Sequence, residues 1–201
     1  MAARLVVLVS GAGTNLEALL TACADPTYGA QVVAVGSDRP DCGGIDIGRR
    51  GGVPTFVTQV DDYPDRDAWN DALATELDRC DADLVVCAGF MRVLGRGLVD
   101  AYAGRIVNTH PALLPSFPGT HAVRDALAYG VKVTGVTVHF VDTGVDTGPV
   151  IAQTAVVVRS DDDEESLHAR IKAVERPLLV SAVGRLVRGG YRLDGRKVVL
   201  P

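Results

Sequence analysis

The sequence predicts an α/β protein with an open, mostly parallel twisted sheet and helices on both faces. Three observations carry this expectation. Short apolar, β-branched runs recur through the first half. Stretches with helical spacing separate them. Glycines and polar residues follow the ends of the runs. Strands buried on both faces read as continuous apolar runs, and strand–helix alternation is the pattern of a parallel sheet.

In chain order, Leu5-Val6-Val7-Leu8-Val9 is the first strand, broken by Gly11 and Gly13. Leu16, Leu19 and Leu20 mark a helix that Thr14 or Asn15 can cap. Gln31-Val32-Val33-Ala34-Val35 is a second strand, and a short helix through Ile45 and Ile47 ends at Gly51-Gly52. Pro54-Thr55-Phe56-Val57 follows, then a helix from about Arg66 to Arg79, then a strand over residues 83–88. Two strands are expected at 134–141 and 149–158, linked by an Asp-, Thr- and Gly-rich loop. A late helix from about Glu164 to Arg188 contains Pro177, which is expected to kink or split it. The acidic run 161–165 suits that helix's entry. Asp194-Gly195 is read as a two-residue hairpin turn.

A chain of 201 residues, 47% hydrophobic, suits one domain with a buried core. The formal net charge of -5 argues against nucleic acid as the main partner, though not against a local anion site. Cys23, Cys42, Cys80 and Cys87 form no CxxC pair, so no metal site is expected. Met1 leads almost directly into an apolar strand without a secretory n-region, and no run reaches the roughly 20 apolar residues that span a bilayer. The expectation is a cytoplasmic protein without membrane contact, acting on small molecules, with a homodimer among the oligomeric states left open.

Ligands bind open parallel sheets beyond the carboxyl ends of the strands. Three unusual stretches fall there: residues 11–15, 89–94 and 108–121. Ser10-Gly11-Ala12-Gly13-Thr14-Asn15 offers backbone N–H groups at a helix start, which suit a monophosphate. A dinucleotide fingerprint fails because Leu16 stands where a glycine is required, and an ordinary tight turn remains an alternative. Asn108 and His110 lie two apart, so on a strand they face one side. The amide can donate to a developing oxyanion, and the imidazole can give or take a proton. A capping asparagine and a buried structural histidine are the plain alternatives. Pro111, Pro115 and Pro118 stiffen the segment that follows.

His139 sits in an alternating strand and reads as structural. Asp142 and Asp146 flank Gly144, where turn chemistry accounts for at least one of them. His121 suits a helix entry or a site wall. Arg66 and Arg92 could hold anions, and Lys172 with Glu175 reads as an exposed ion pair.

Four stretches together resemble the phosphoribosylglycinamide formyltransferases, folate-dependent enzymes of purine synthesis. They are SGAGTNLEALL near the start, DLVVCAGFMRVL at 83–94, IVNTHPALLPSFPGTHAVRDAL at 106–127 and TGVTVHFVDTGVDTGPVI at 134–151. The resemblance covers nearly the whole chain. It implies a Rossmann-like formyltransferase fold in one domain over 1–201, with a nucleotide-binding half of about 1–100 and a folate and catalytic half of about 101–201.

The resemblance implies formyl transfer from 10-formyltetrahydrofolate, as co-substrate, to the amino group of glycinamide ribonucleotide, with no metal. Asn108, His110 and Asp146 would be catalytic. The ribonucleotide would lie against Gly13, Thr14, Asn15 and Leu16, and against Lys172, Ala173, Val174 and Glu175. Folate would lie along Arg66, Met91, Arg92, Val93 and Leu94, along Asn108, and along Asp142, Thr143, Gly144, Val145 and Asp146. Only the resemblance brings the 142–146 loop to His110. Two relatives of the same core are separated by expectation: the methionyl-tRNA enzyme carries a further C-terminal domain, and the deformylase an N-terminal regulatory one. A deformylase, which lets water replace the amine, and a non-catalytic nucleotide-binding module are the competing classes.

Overall fold

The computed structural model describes residues 2–201. The protein is α/β, with a mostly parallel mixed sheet flanked by helices. The chain forms two compact units, residues 1–108 and 109–201.

The first unit runs β1 (Ala3–Val9), α1 (Thr14–Cys23), β2 (Ala30–Ser37), α2 (Gly43–Arg50), β3 (Thr55–Val57), α3 (Arg66–Arg79), β4 (Leu84–Cys87) and α4 (Arg96–Ala101) into β5 (Ile106–His110). The strands lie in the order β3-β2-β1-β4-β5, and all pair in parallel. β1 has a strand on each side, so its apolar run is fully buried, and Leu5, Val6, Val7, Leu8 and Val9 are core residues. The Asp65 carboxylate caps α3 by accepting from the Ala68 N–H. Trp69 on α3 is buried, and its Nε1–H donates to the Thr58 carbonyl at 2.8 Å.

The second unit contains α5 (Ala122–Tyr129), β6 (Val133–Phe140), β7 (Val150–Val157), α6 (Glu164–Gly189), β8 (Arg192–Asp194) and β9 (Lys197–Val199). β6 and β7 pair antiparallel, with Val136 opposite Thr154. Val123, Val136, Val156, Leu167 and Ile171 form a core between α5, the β6–β7 pair and α6. β9 runs parallel beside β7, and β8 pairs antiparallel with β9.

Three sequence expectations change. Neither Thr14 nor Asn15 caps α1; the cap is Gly13, in the left-handed conformation (φ 80°), with no side-chain cap bond. Pro177 does not split the late helix, because α6 runs unbroken over 26 residues. Proline removes one N–H, which would have bonded the carbonyl four residues back. That carbonyl belongs to exposed Ala173, where water can serve it. The acidic run does cap α6: Asp163 and Ser166 form a reciprocal capping box. The hairpin turn is Gly195-Arg196, because Asp194 already pairs with Lys197. The short helices α4 and α5 had no distinct sequence signature.

Candidate active site

β5 ends at His110, whose side chain is buried. Pro111 follows, cannot donate to a strand ladder, and lets the chain turn away. The turning segment returns the Phe117 carbonyl to His110 Nε2 at 2.8 Å. On the other side of the ring, Nδ1 lies 3.3 Å from Asp146 Oδ2. Both ring nitrogens therefore face acceptors. A neutral imidazole has one N–H and satisfies one of them, and only the doubly protonated ring donates to both.

Asp146 sits in the left-handed region (φ 55°), a costly conformation for a residue with a Cβ and one that Asp tolerates better than most. The carboxylate is tied down by the Gly119 N–H, which donates to Oδ2 at 2.8 Å. Its other oxygen, Oδ1, lies 3.6 Å from His139 Nε2. His139 is buried, and its Nδ1 pairs with the Phe140 carbonyl at 2.9 Å. Burial holds the His139 imidazole below the ordinary histidine value, against the opposing pull of the Phe140 carbonyl and Asp146. In the neutral ring Nδ1–H serves the carbonyl, and Nε2 turns a lone pair toward Asp146.

The structure thus separates the two loop aspartates. Asp142 accepts from the Gly144 N–H (3.1 Å) and the Thr147 hydroxyl (2.6 Å), so it folds the loop. Asp146 faces the two histidines. Thr143, Gly144 and Val145 lie exposed between them. Asn108, half-buried, is on β5 opposite Cys87 of β4, two residues before His110 along the same strand. His121 is exposed at the entry of α5, a helix-entry residue.

On α6, Glu175 is buried and accepts the Thr109 hydroxyl at 2.9 Å. The exposed Lys172–Glu175 ion pair read from helical spacing is a misreading: no such bridge exists among the described residues. Lys172 and Ala173 are exposed, and Val174 packs beside the second unit's core. A polar group so buried needs a hydrogen-bond partner, and the threonine next to His110 supplies one.

In the first unit, Gly13 packs against α2 so closely that a Cβ would lie 2.6 Å from the Gly44 Cα. Thr14 is exposed and Leu16 buried. Asn15 is buried, with its Oδ1 lacking a hydrogen-bond partner. The 91–94 segment exposes Met91 and Val93, with Leu94 half-buried. Arg66 lies over the Trp69 ring at 4.7 Å and donates to the Val93 carbonyl at 2.6 Å. Arg92 bonds Asp38 through Nε at 2.6 Å. A cleft of about 650 Å³ opens beside Ser10, Gly11, Asp38 and Arg92.

Sequence reasoning missed His139 as a neighbour of Asp146, and it missed Asp38, Phe117 and Gly119. His139 had one available signal: a histidine on a buried strand, seven residues before an aspartate in a glycine-rich loop. No signal points to a backbone carbonyl or N–H. Among the described residues, no group of three or more His, Cys, Asp or Glu is placed to hold a metal ion, and no helix is long and apolar enough to cross a membrane.

Fold and site define an α/β protein with a histidine–carboxylate cluster beside the end of a strand. Residues 3–183 match the family described as formyl transferase, and the chain belongs to that family. It is 54% identical over 198 residues to the phosphoribosylglycinamide formyltransferase of Mycobacterium tuberculosis, covering 98% of this chain and 91% of that protein. The crystal structure of glycinamide ribonucleotide transformylase 1 from Symbiobacterium toebii superposes with a TM-score of 0.96 at 43% identity, covering 99% of this chain and 94% of that one. A formyltetrahydrofolate deformylase from Pseudomonas syringae superposes with a TM-score of 0.92 at 26% identity, covering 100% of this chain and 66% of that one.

Proposed function

We propose that this protein transfers the formyl group of 10-formyltetrahydrofolate to the amino group of phosphoribosylglycinamide, in purine synthesis, as a cytoplasmic enzyme. The names and high identity of its relatives support this reading. The observation that carries it is the buried His110–Asp146 pair, with acceptors on both ring nitrogens.

The reaction joins a neutral amine to a formyl carbonyl through a tetrahedral intermediate with negative oxygen and positive nitrogen. Holding two substrates in line supplies about 7–11 kcal/mol at best. In this reading Asn108 donates to the oxyanion, a contribution of roughly 2.7–4 kcal/mol for one well-placed donor. The His110 Nε2–H moves from the Phe117 carbonyl to the formyl oxygen, exchanging a neutral acceptor for a charged one. Asp146, beside the second ring nitrogen of His110, takes up the amine's proton and returns it to the departing folate nitrogen as that carbon–nitrogen bond breaks.

In this reading the backbone of residues 13–16 takes the ribonucleotide phosphate, and the assignment of residues 172–175 to the ribonucleotide rests on the family resemblance alone. In this reading residues 91–94 take the folate, and the assignment of the 142–146 loop to it rests on the family resemblance alone. Arg66 acts at 91–94 by fixing the Val93 carbonyl.

The test is formyl transfer with purified protein and both substrates. Loss of 10-formyltetrahydrofolate should require added ribonucleotide and yield its formylated product. Consumption without ribonucleotide would assign the deformylase reaction instead. No consumption in either case would leave only a binding module.

A further inference from the structure

One buried carboxylate in the first unit has no place in the reaction. Asp38, just beyond β2, has a side chain only 2% exposed. A charge so buried persists only with donors around it, and it has two. The Ser10 hydroxyl donates to Oδ1 at 2.6 Å, and Arg92 Nε–H donates to Oδ2 at 2.6 Å. An ionised carboxylate only accepts, so it fixes the direction of the Ser10 hydroxyl proton. That leaves the Ser10 oxygen to accept the Met91 N–H at 2.9 Å. The Ser10 N–H in turn donates to the Gly89 carbonyl at 3.1 Å. Residues 89–92 are therefore held at three points by a two-residue set.

The pinned segment and the residue after it present apolar side chains outward: Met91 is 69% exposed and Val93, whose carbonyl Arg66 holds, 63%. A rigid backbone carrying uncovered apolar side chains is suited to a flat, largely apolar ligand. We propose that Ser10 and Asp38 are positioning residues for the formyl-donor subsite, acting through Met91 and Arg92. This rests on the reading that 91–94 takes the folate and 13–16 the ribonucleotide. Ser10 touches the phosphate loop in sequence but does not hold it. The Gly44 N–H bonds the Gly11 carbonyl, and the Glu17 N–H bonds the Gly13 carbonyl. Loss of the Ser10 hydroxyl therefore disturbs the donor side selectively.

The experiment is two-substrate kinetics on Ser10→Ala and Asp38→Asn. The KM for 10-formyltetrahydrofolate should rise about 3- to 10-fold, the scale of one lost net hydrogen bond, with the ribonucleotide KM within about twofold. Calorimetric titration with tetrahydrofolate should show the same weakening. Hydrogen exchange should be faster at the Met91 amide of Ser10→Ala and unchanged at residues 14–16. An equal rise in both KM values, or an unchanged donor KM in folded variants, overturns the proposal. If Ser10→Ala does not fold, Asp38→Asn gives the same reading. If the unaltered protein transfers no formyl group, the parent reading fails; if it does and the variants are unselective, this inference alone fails.

Discussion

Replacing Asp146 by asparagine separates charge from shape. The Gly119 N–H still finds an oxygen, because the amide can keep its carbonyl at the Oδ2 position. The amide nitrogen then takes the Oδ1 position, 3.6 Å from His139 Nε2, where a neutral ring offers a lone pair. Asparagine also tolerates the left-handed backbone at this position (φ 55°). The fold should therefore survive, with a stability change within about 1 kcal/mol. The chemistry should not. A hydrogen bond to a charged group is worth about 1.5–3 kcal/mol, against about 0.5–1.5 for a neutral one, so the His110 contact weakens by roughly 1–1.5 kcal/mol, about tenfold. Loss of the proton acceptor adds the general acid–base contribution, roughly 10²–10⁴. The combined expectation is a fall in kcat of at least about 10² with the melting temperature nearly unchanged. Steady-state kinetics and thermal melts on the same preparation measure both. A kcat within tenfold of the parent would make Asp146 a clamp for Gly119 alone. A parallel collapse of stability would show that the carboxylate matters to folding instead.

Other expectations follow from the same geometry. Asn108→Ala should lower kcat by about 10²–10³ if the amide donates to the oxyanion; near-normal kcat in a folded variant would return Asn108 to a structural role. Burial holds His139 below its ordinary value of 6.5, so below that pH the unfolded chain binds this proton more readily than the folded one. Stability should be fully present above about pH 6.5 and fall as pH drops toward the folded value. His139→Asn, whose amide can still serve the Phe140 carbonyl, should flatten that limb in urea melts taken across pH, and an unaltered limb would assign it to other groups. Gly13→Ala should destabilise the protein by about 1 kcal/mol or more, since it combines positive φ with a Cβ 2.6 Å from Gly44; an unchanged melting temperature would contradict this packing.

The sequence by itself determined the α/β class and the placement of most elements. A short, β-branched apolar run closed by glycines, such as residues 5–9, reads as a buried strand, and α3 follows from a helical apolar pattern bounded by Asp65 and Cys80. It also marked Asn108 and His110, because a strand's twofold period fixes which residues share a side. Tertiary structure decided the rest. Asp142 and Asp146 are four residues apart in one loop and look alike in sequence; only the returning 117–119 segment and the buried rings make one a turn-former and the other a partner of two histidines. Glu175 has the spacing of a surface ion pair, yet the fold turns it inward to Thr109, 66 residues away. Asp38 and Arg92, 54 residues apart, carry no joint pattern. Periodicity encodes which face a residue occupies, because that depends on local backbone geometry. It cannot encode which distant residue shares a buried polar contact, because that depends on how the chain closes on itself.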